Sequence, residues 1–144
     1  MAKGVRGVYI TDDDFYDVVK VLQAEPLFKK LELTDLFAIA LLYGKNKGYR
    51  TSLIGDRTIR IKRNTLENSN LYYLMMAIAV DEADSFDILA KDDDYFTICE
   101  EYAKTGFYAL EEDYNKDSKK LLSKLEMEAL RFFDSEIDKE EKSE

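Results

Sequence analysis

Seven cationic side chains, Lys45, Lys47, Arg50, Arg57, Arg60, Lys62 and Arg63, lie in the stretch KNKGYRTSLIGDRTIRIKRN, where Asp56 is the single acidic residue. The stretch carries a net +6 in a chain whose formal total is -9, which leaves -15 for the rest. Separated charge of this kind gives a polyanion one attractive and one repulsive side. Clustered cations suit phosphate oxygens, and seven phosphate contacts would give a log–log salt slope near about -6. They suit the carboxylates of an acidic protein, or of this chain itself, equally well. The candidate partners for these seven residues are therefore DNA or an acidic protein, although a pI near 4.7 is the reverse of the usual nucleic-acid signature.

Other chemistry finds little support. There is no histidine, which removes the commonest general base, the Ser-His and Cys-His nucleophile pairs and the imidazole metal ligands. Cys99 is the only cysteine, so neither an intramolecular disulfide nor a multi-cysteine metal site can form within one chain. Its spacing from Phe96 and Ala103 puts it on an apolar helix face, as a small buried hydrophobe. The runs Asp12-Asp13-Asp14 and Asp92-Asp93-Asp94 lack the alternating ligands, glycine turn and closing Glu of a calcium loop, and read as helix starts. Glu100 and Glu101 with Asp113, or Asp81 with Glu82 and Asp84, contain carboxylates enough for acid–base work, but no spacing singles them out from solvated helix faces. GKNKG and LIGDR do not end in the Gly-Lys-Ser/Thr of a phosphate loop. The expectation is a non-enzymatic protein with no cofactor and no metal.

The elements that must carry these residues are mostly helical. Asp12 to Asp14 offer caps for a first helix with Phe15, Val18, Val19 and Leu22 on one face, and Pro26 marks its end. Thr34 is placed to cap a second helix through LFAIALLY, and Asn68, Ser69 and Asn70 to cap another through LYYLMMAIAV. Both runs are apolar on all sides, which predicts that they pack on each other as the core. Between them the basic segment is punctuated by Gly44, Gly48 and Gly55, and residues 58–62 alternate. The pattern predicts a small hairpin in which Tyr49–Leu53 faces Arg57–Ile61 across a Gly55-Asp56 turn. FDILA reads as a short helix, and Asp92 to Asp94 open a longer one through Phe96, Cys99, Tyr102 and Ala103. Gly106 within it predicts a bend or a close backbone approach. Leu121 to Ile137 form an amphipathic last helix.

With those elements in place, LTDLFAIALLYGKNKGYRTSL, the basic run ending IRIKRN, LYYLMMAIAVDEADSFDILAKDDD and FTICEEYAKTGFYAL together resemble the small accessory proteins known as Dnd-system-associated protein 4. The resemblance covers about Leu33 to Leu110, with Gly44, Lys45, Glu100, Glu101, Tyr102, Ala103 and Gly106 as its distinctive points. It implies a helical accessory component of a DNA phosphorothioate modification or restriction system, and it brings no catalytic residue.

The fold class that follows is mainly α, a compact bundle of five or six helices with a short irregular or β-hairpin-like basic insertion. Residues 1–138 are expected to form one domain, and 139–144 a charged tail without fixed structure. The longest apolar runs hold eight and ten residues against the roughly 20 that a bilayer crossing needs. No secretory signal is apparent, so the expected location is the cytoplasm. The functional expectation is a binding or regulatory module that uses the basic segment. The alternative is an oligomeric assembly protein whose last helix pairs through Leu122, Leu125, Ala129 and Phe133.

Overall fold

The computed structural model describes residues 6–127. As the sequence leads one to expect, the protein is mainly helical, with six helices and one short antiparallel strand pair among those residues. They fall into two compact units that divide between Glu111 and Glu112.

The first unit opens with β1 (Val8–Thr11), which passes directly into a helical run, α1, built of Asp12–Asp14, a π-helical stretch Phe15–Val19 and Lys20–Ala24. Thr11, not the aspartate run, caps α1: its backbone is extended, and its hydroxyl accepts from Asp14 N at 3.2 Å. The three aspartates occupy the first turn, where the helix dipole favours them. Glu25, held extended ahead of Pro26, ends the run as expected. Helix α2 (Leu33–Lys47) starts one residue before Thr34, with Glu32 at the cap position, so Thr34 lies buried in the first turn instead of capping it. Gly48, at φ 87°, closes α2 in the left-handed conformation that glycine adopts without strain. After β2 (Arg57–Ile61) come α3 (Arg63–Glu67), α4 (Asn70–Ala83), a 3-10 turn Phe86–Ala90 capped by Ser85, and α5 (Asp92–Lys116).

Helices α2 and α4 do pack on each other, burying Leu36, Phe37, Ala40 and Leu41 from one and Leu71, Met75, Ile78 and Ala79 from the other. They do not make the core alone. Helix α5 buries Tyr95, Phe96, Ile98, Cys99, Tyr102, Ala103, Phe107 and Leu110, while α4 leaves Tyr73 exposed despite being apolar on every side. The α2–α5 crossing depends on two glycines. A Cβ on Gly106 would collide with the carbonyl oxygen of Ala40, and one on Gly44 with that of Tyr102. The close approach expected at KTGFY is therefore a backbone-to-backbone contact, and Gly44 is its other half.

The strand expected at Arg57–Ile61 forms, but its partner is not Tyr49–Leu53. It pairs with β1, Tyr9 opposite Ile59 and Thr11 opposite Arg57, with an irregularity between Val8 and Tyr9. The reason is a better use of both segments. Residues 51 and 52 are tied to α5, Thr51 N donating to Glu101 O at 3.2 Å and Lys104 Nζ to Ser52 O at 3.1 Å. Val8 and Ile10 meanwhile bring buried apolar side chains to the ladder that no residue of 49–53 matches.

In the second unit, residues 118–127 form α6, whose first amides are met by Asp117 Oδ1, accepting from Lys119 N and Lys120 N at 3.1 and 3.2 Å. Lys124 reaches Asp113 at 3.4 Å. The remainder of the expected last helix, Ala129 and Phe133 with it, and the tail 139–144 lie outside the described residues.

Candidate functional site

The seven cations do not form one continuous charged face. Four of them are held by the protein's own carboxylates at three places. Arg60, on β2, sets a guanidinium nitrogen 3.0 Å from Asp12 Oδ1 and sits over Phe15, its guanidinium carbon 3.9 Å from the ring centre; Thr58 donates to the same Asp12 oxygen at 2.8 Å. Arg63, in the first turn of α3, reaches Asp92 Oδ2 at 2.9 Å and Glu67 at 3.3 Å, and donates to the Tyr72 hydroxyl at 3.2 Å. Burial works against its charge, but the bonds to Asp92 and Tyr72 outweigh that and raise its pKa.

The third place joins the ends of α2 and α4 to α5. Lys45 lies 2.8 Å from Asp81 and 3.5 Å from Glu82, while Arg50 lies 3.9 Å from Glu82 and 3.6 Å from Glu101. Tyr102 donates its hydroxyl to Glu82 at 2.5 Å. That bond is the main reason the Glu82 carboxyl sits below its usual range, with burial opposing it and Lys45 and Arg50 assisting. Burial and the Glu82 bond push the Tyr102 phenol up.

Lys47, Arg57 and Lys62 differ from these four. All three are exposed, and none makes an ion pair among the described residues. Lys47 sits 5.4 Å from the Tyr43 ring centre, and Arg57 donates only to the Leu53 carbonyl, at a long 3.4 Å. Three of the seven cations are thus left without an ion pair among the described residues, and three phosphate contacts would give a salt slope of about -3. The same excursion displays apolar surface that charge counting overlooks: Tyr49 is 59%, Ile54 75% and Ile59 41% exposed.

A second constellation was not apparent from charge runs. Glu100, Lys104 and Tyr108 recur at four-residue steps along α5 and face β1 and α1. Glu100 is fully buried, yet it accepts from Tyr9 N at 2.6 Å and from the Arg6 guanidinium, which also stacks on the Tyr9 and Phe96 rings. Burial raises its pKa, with the Tyr9 amide and Arg6 acting in the other direction. Asp14 accepts from the Tyr108 hydroxyl at 2.7 Å and lies 3.4 Å from Lys104 Nζ. Between them is a cleft lined also by Phe37, Leu53 and Phe107, with room for about one water molecule. Such a space does not admit a substrate. The i, i+4, i+8 polar row between Phe96, Ala103 and Phe107 was the sequence signal for it.

The other candidate acids are dispersed. Glu100 turns to β1 and Glu101 to Arg50, while Asp81 and Glu82 are joined to Lys45. No group of three or more Cys, Asp or Glu among the described residues is placed to hold a metal ion. Cys99 is buried, its Sγ 3.4 Å from the Met75 carbonyl, and burial followed by the nearby Glu100 charge pushes its thiol up, away from the reactive thiolate. Of the expected interface stripe, Leu122 is exposed and Leu125 half-buried. No helix among the described residues is long and apolar enough to cross a membrane.

A family model described as DNA sulphur modification system-associated protein 4 matches residues 12–144, further in both directions than the motifs between Leu33 and Leu110 reach. No curated protein and no solved structure matches the chain.

Proposed function

Since the chain belongs to the family of DNA sulphur modification system-associated protein 4 and is thereby an accessory protein of such a system, we propose that it is a non-enzymatic docking component that binds another, acidic protein of the system through the excursion between Lys47 and Lys62. One observation carries the choice of a protein over DNA. The cations with no carboxylate partner among the described residues are interleaved with exposed Tyr49, Ile54 and Ile59, and interfaces between proteins use this mixture of apolar anchors and arginine. A phosphate-binding surface would need more free cations than three, on a protein whose net charge is not -9.

The test pairs two titrations. Binding to the other purified proteins of the system is measured by calorimetry with wild type and with Lys47→Glu/Arg57→Glu/Lys62→Glu. Duplex DNA is titrated in parallel at two salt concentrations. The expected result is a protein complex that the triple variant weakens at least about tenfold, a loss of about 1.4 kcal/mol. Unchanged binding by the triple variant overturns the reading. So does a DNA complex with a slope near about -3 and no protein complex.

A further inference from the structure

The two-stranded sheet offers more than side chains to such a partner. One edge of β2 is spent on β1, and the ladder continues one bond past it, Asp12 N donating to Asp56 O at 2.8 Å. No strand among the described residues pairs with the other edge. Arg57, Thr58 and Ile59 are all exposed, so neither face of that half of the strand is sealed, while Ile61 is buried and anchors its far end. An open edge presents main-chain donors and acceptors to any extended segment of matching register, and recognition by strand addition uses those groups for affinity and alternate side chains for selection.

We propose that the open edge of β2 receives an extended acidic segment of the partner protein as a third strand. This rests on the reading above and specifies how the same surface is used. Arg57 and Ile59 lie two residues apart and so project from one face of the strand, where a partner strand with a carboxylate and an apolar residue two positions apart would offer the first to Arg57 and the second to Ile59. Lys62, immediately beyond the strand, supplies a second cation along the same run that has no ion pair among the described residues. A second copy of this chain is a poor occupant, because an edge-to-edge pair would bring Arg57 and Lys62 of each copy towards cations of the other. The charges that keep the edge from self-pairing are those that select an acidic strand. A two-stranded sheet is also marginal by itself, so a third strand would add to its stability as well as to affinity.

The test uses a synthetic ten-residue peptide in which glutamate and valine alternate at every second position with threonine between them, so that one face carries both, and the same peptide N-methylated at alternate backbone nitrogens, which keeps charge and side chains but blocks one row of ladder bonds. The full chain is titrated with each, and amide exchange at residues 57–61 is followed by NMR. The expected result is saturable binding of the unmodified peptide, at least about tenfold weaker binding of the methylated one, and slowed exchange within 57–61. A tenfold change corresponds to about 1.4 kcal/mol. Equal binding of the two peptides overturns strand addition but leaves docking through the excursion standing. No binding of the unmodified peptide, or protection elsewhere on the chain, also overturns strand addition. The docking reading itself is judged separately, by the two outcomes named for the triple charge-reversed variant and for duplex DNA.

Discussion

Gly106→Ala tests the packing on which every other feature depends, because two effects of opposite sign meet at that position. In an ordinary solvent-facing helix, replacing glycine by alanine stabilises by about 1 kcal/mol. Here the added Cβ would overlap the main-chain carbonyl of Ala40, close to Gly44 N, and neither atom can move by a rotamer change. The α2–α5 pair must part, loosening Phe37 against Phe107, whose rings now sit 6.0 Å apart. Overpacking of a rigid contact costs about 3 kcal/mol at the upper end of its usual range, so the net loss is about 2 kcal/mol. For a chain of this length that lowers Tm by roughly 6–10 °C, measurable by calorimetry or circular dichroism. Gly44→Ala should behave alike, and the double variant should cost less than the two together, since the helices part only once. Gly48→Ala is the comparison: nothing lies within 4 Å of its Cβ, so only the left-handed backbone penalty of about 1 kcal/mol applies. A Gly106→Ala protein melting above wild type would refute the close crossing.

The cations should separate by role. Arg60→Ala removes the Asp12 pair and the stack on Phe15, and should destabilise by about 1–2 kcal/mol in urea unfolding, whereas Lys62→Ala should leave the midpoint unchanged; equal effects would mean that the partition into held and free cations is wrong. Thr11→Ala should cost about 1 kcal/mol through loss of the α1 cap, with Thr11→Ser recovering most of it. The Glu82 carboxyl is held below the ordinary 4.5 in the folded protein, so the stability it contributes is present above that value and lost as pH falls through the lowered one. Glu82→Gln should be less stable than wild type at neutral pH and lose less between about pH 6 and about pH 3; parallel pH–stability curves would contradict the pairing.

The helices were legible because the chain states them in spacing: aspartates, a proline and capping residues fix where α1, α2, α4 and α5 start to within a residue or two and where α1 stops, whereas α2 runs on through Gly44 to Lys47 and α4 into the acidic segment as far as Ala83. Capping was less so, since Thr11 and Glu32 were chosen by the path of the preceding chain, which periodicity does not report. The partner of β2 was out of reach for a related reason. Alternation identifies a strand, but a ladder is decided by which segment can bury its other face, and Val8 and Ile10 lie nearly fifty residues away in sequence.

Charge along the chain was only partly informative, and the reason is general enough to use. A run of cations reports composition along the chain, while binding depends on which of them the fold leaves unsatisfied. Arg60 and Arg63 belong to the same RIKRN run as Lys62, yet the strand turns Arg60 onto Asp12 and Phe15, and the helix start turns Arg63 onto Asp92. Asp12 and Asp92, from acidic triplets that looked like mere helix starts, are their partners, so the segment's charge is partly spent in local pairs at separate places. What remains available is a strand edge, three cations and exposed tyrosine and isoleucine side chains. From that mixture we propose a carboxylate-bearing chain over a phosphate backbone, because such a chain would engage its main-chain, apolar and ionic groups at once.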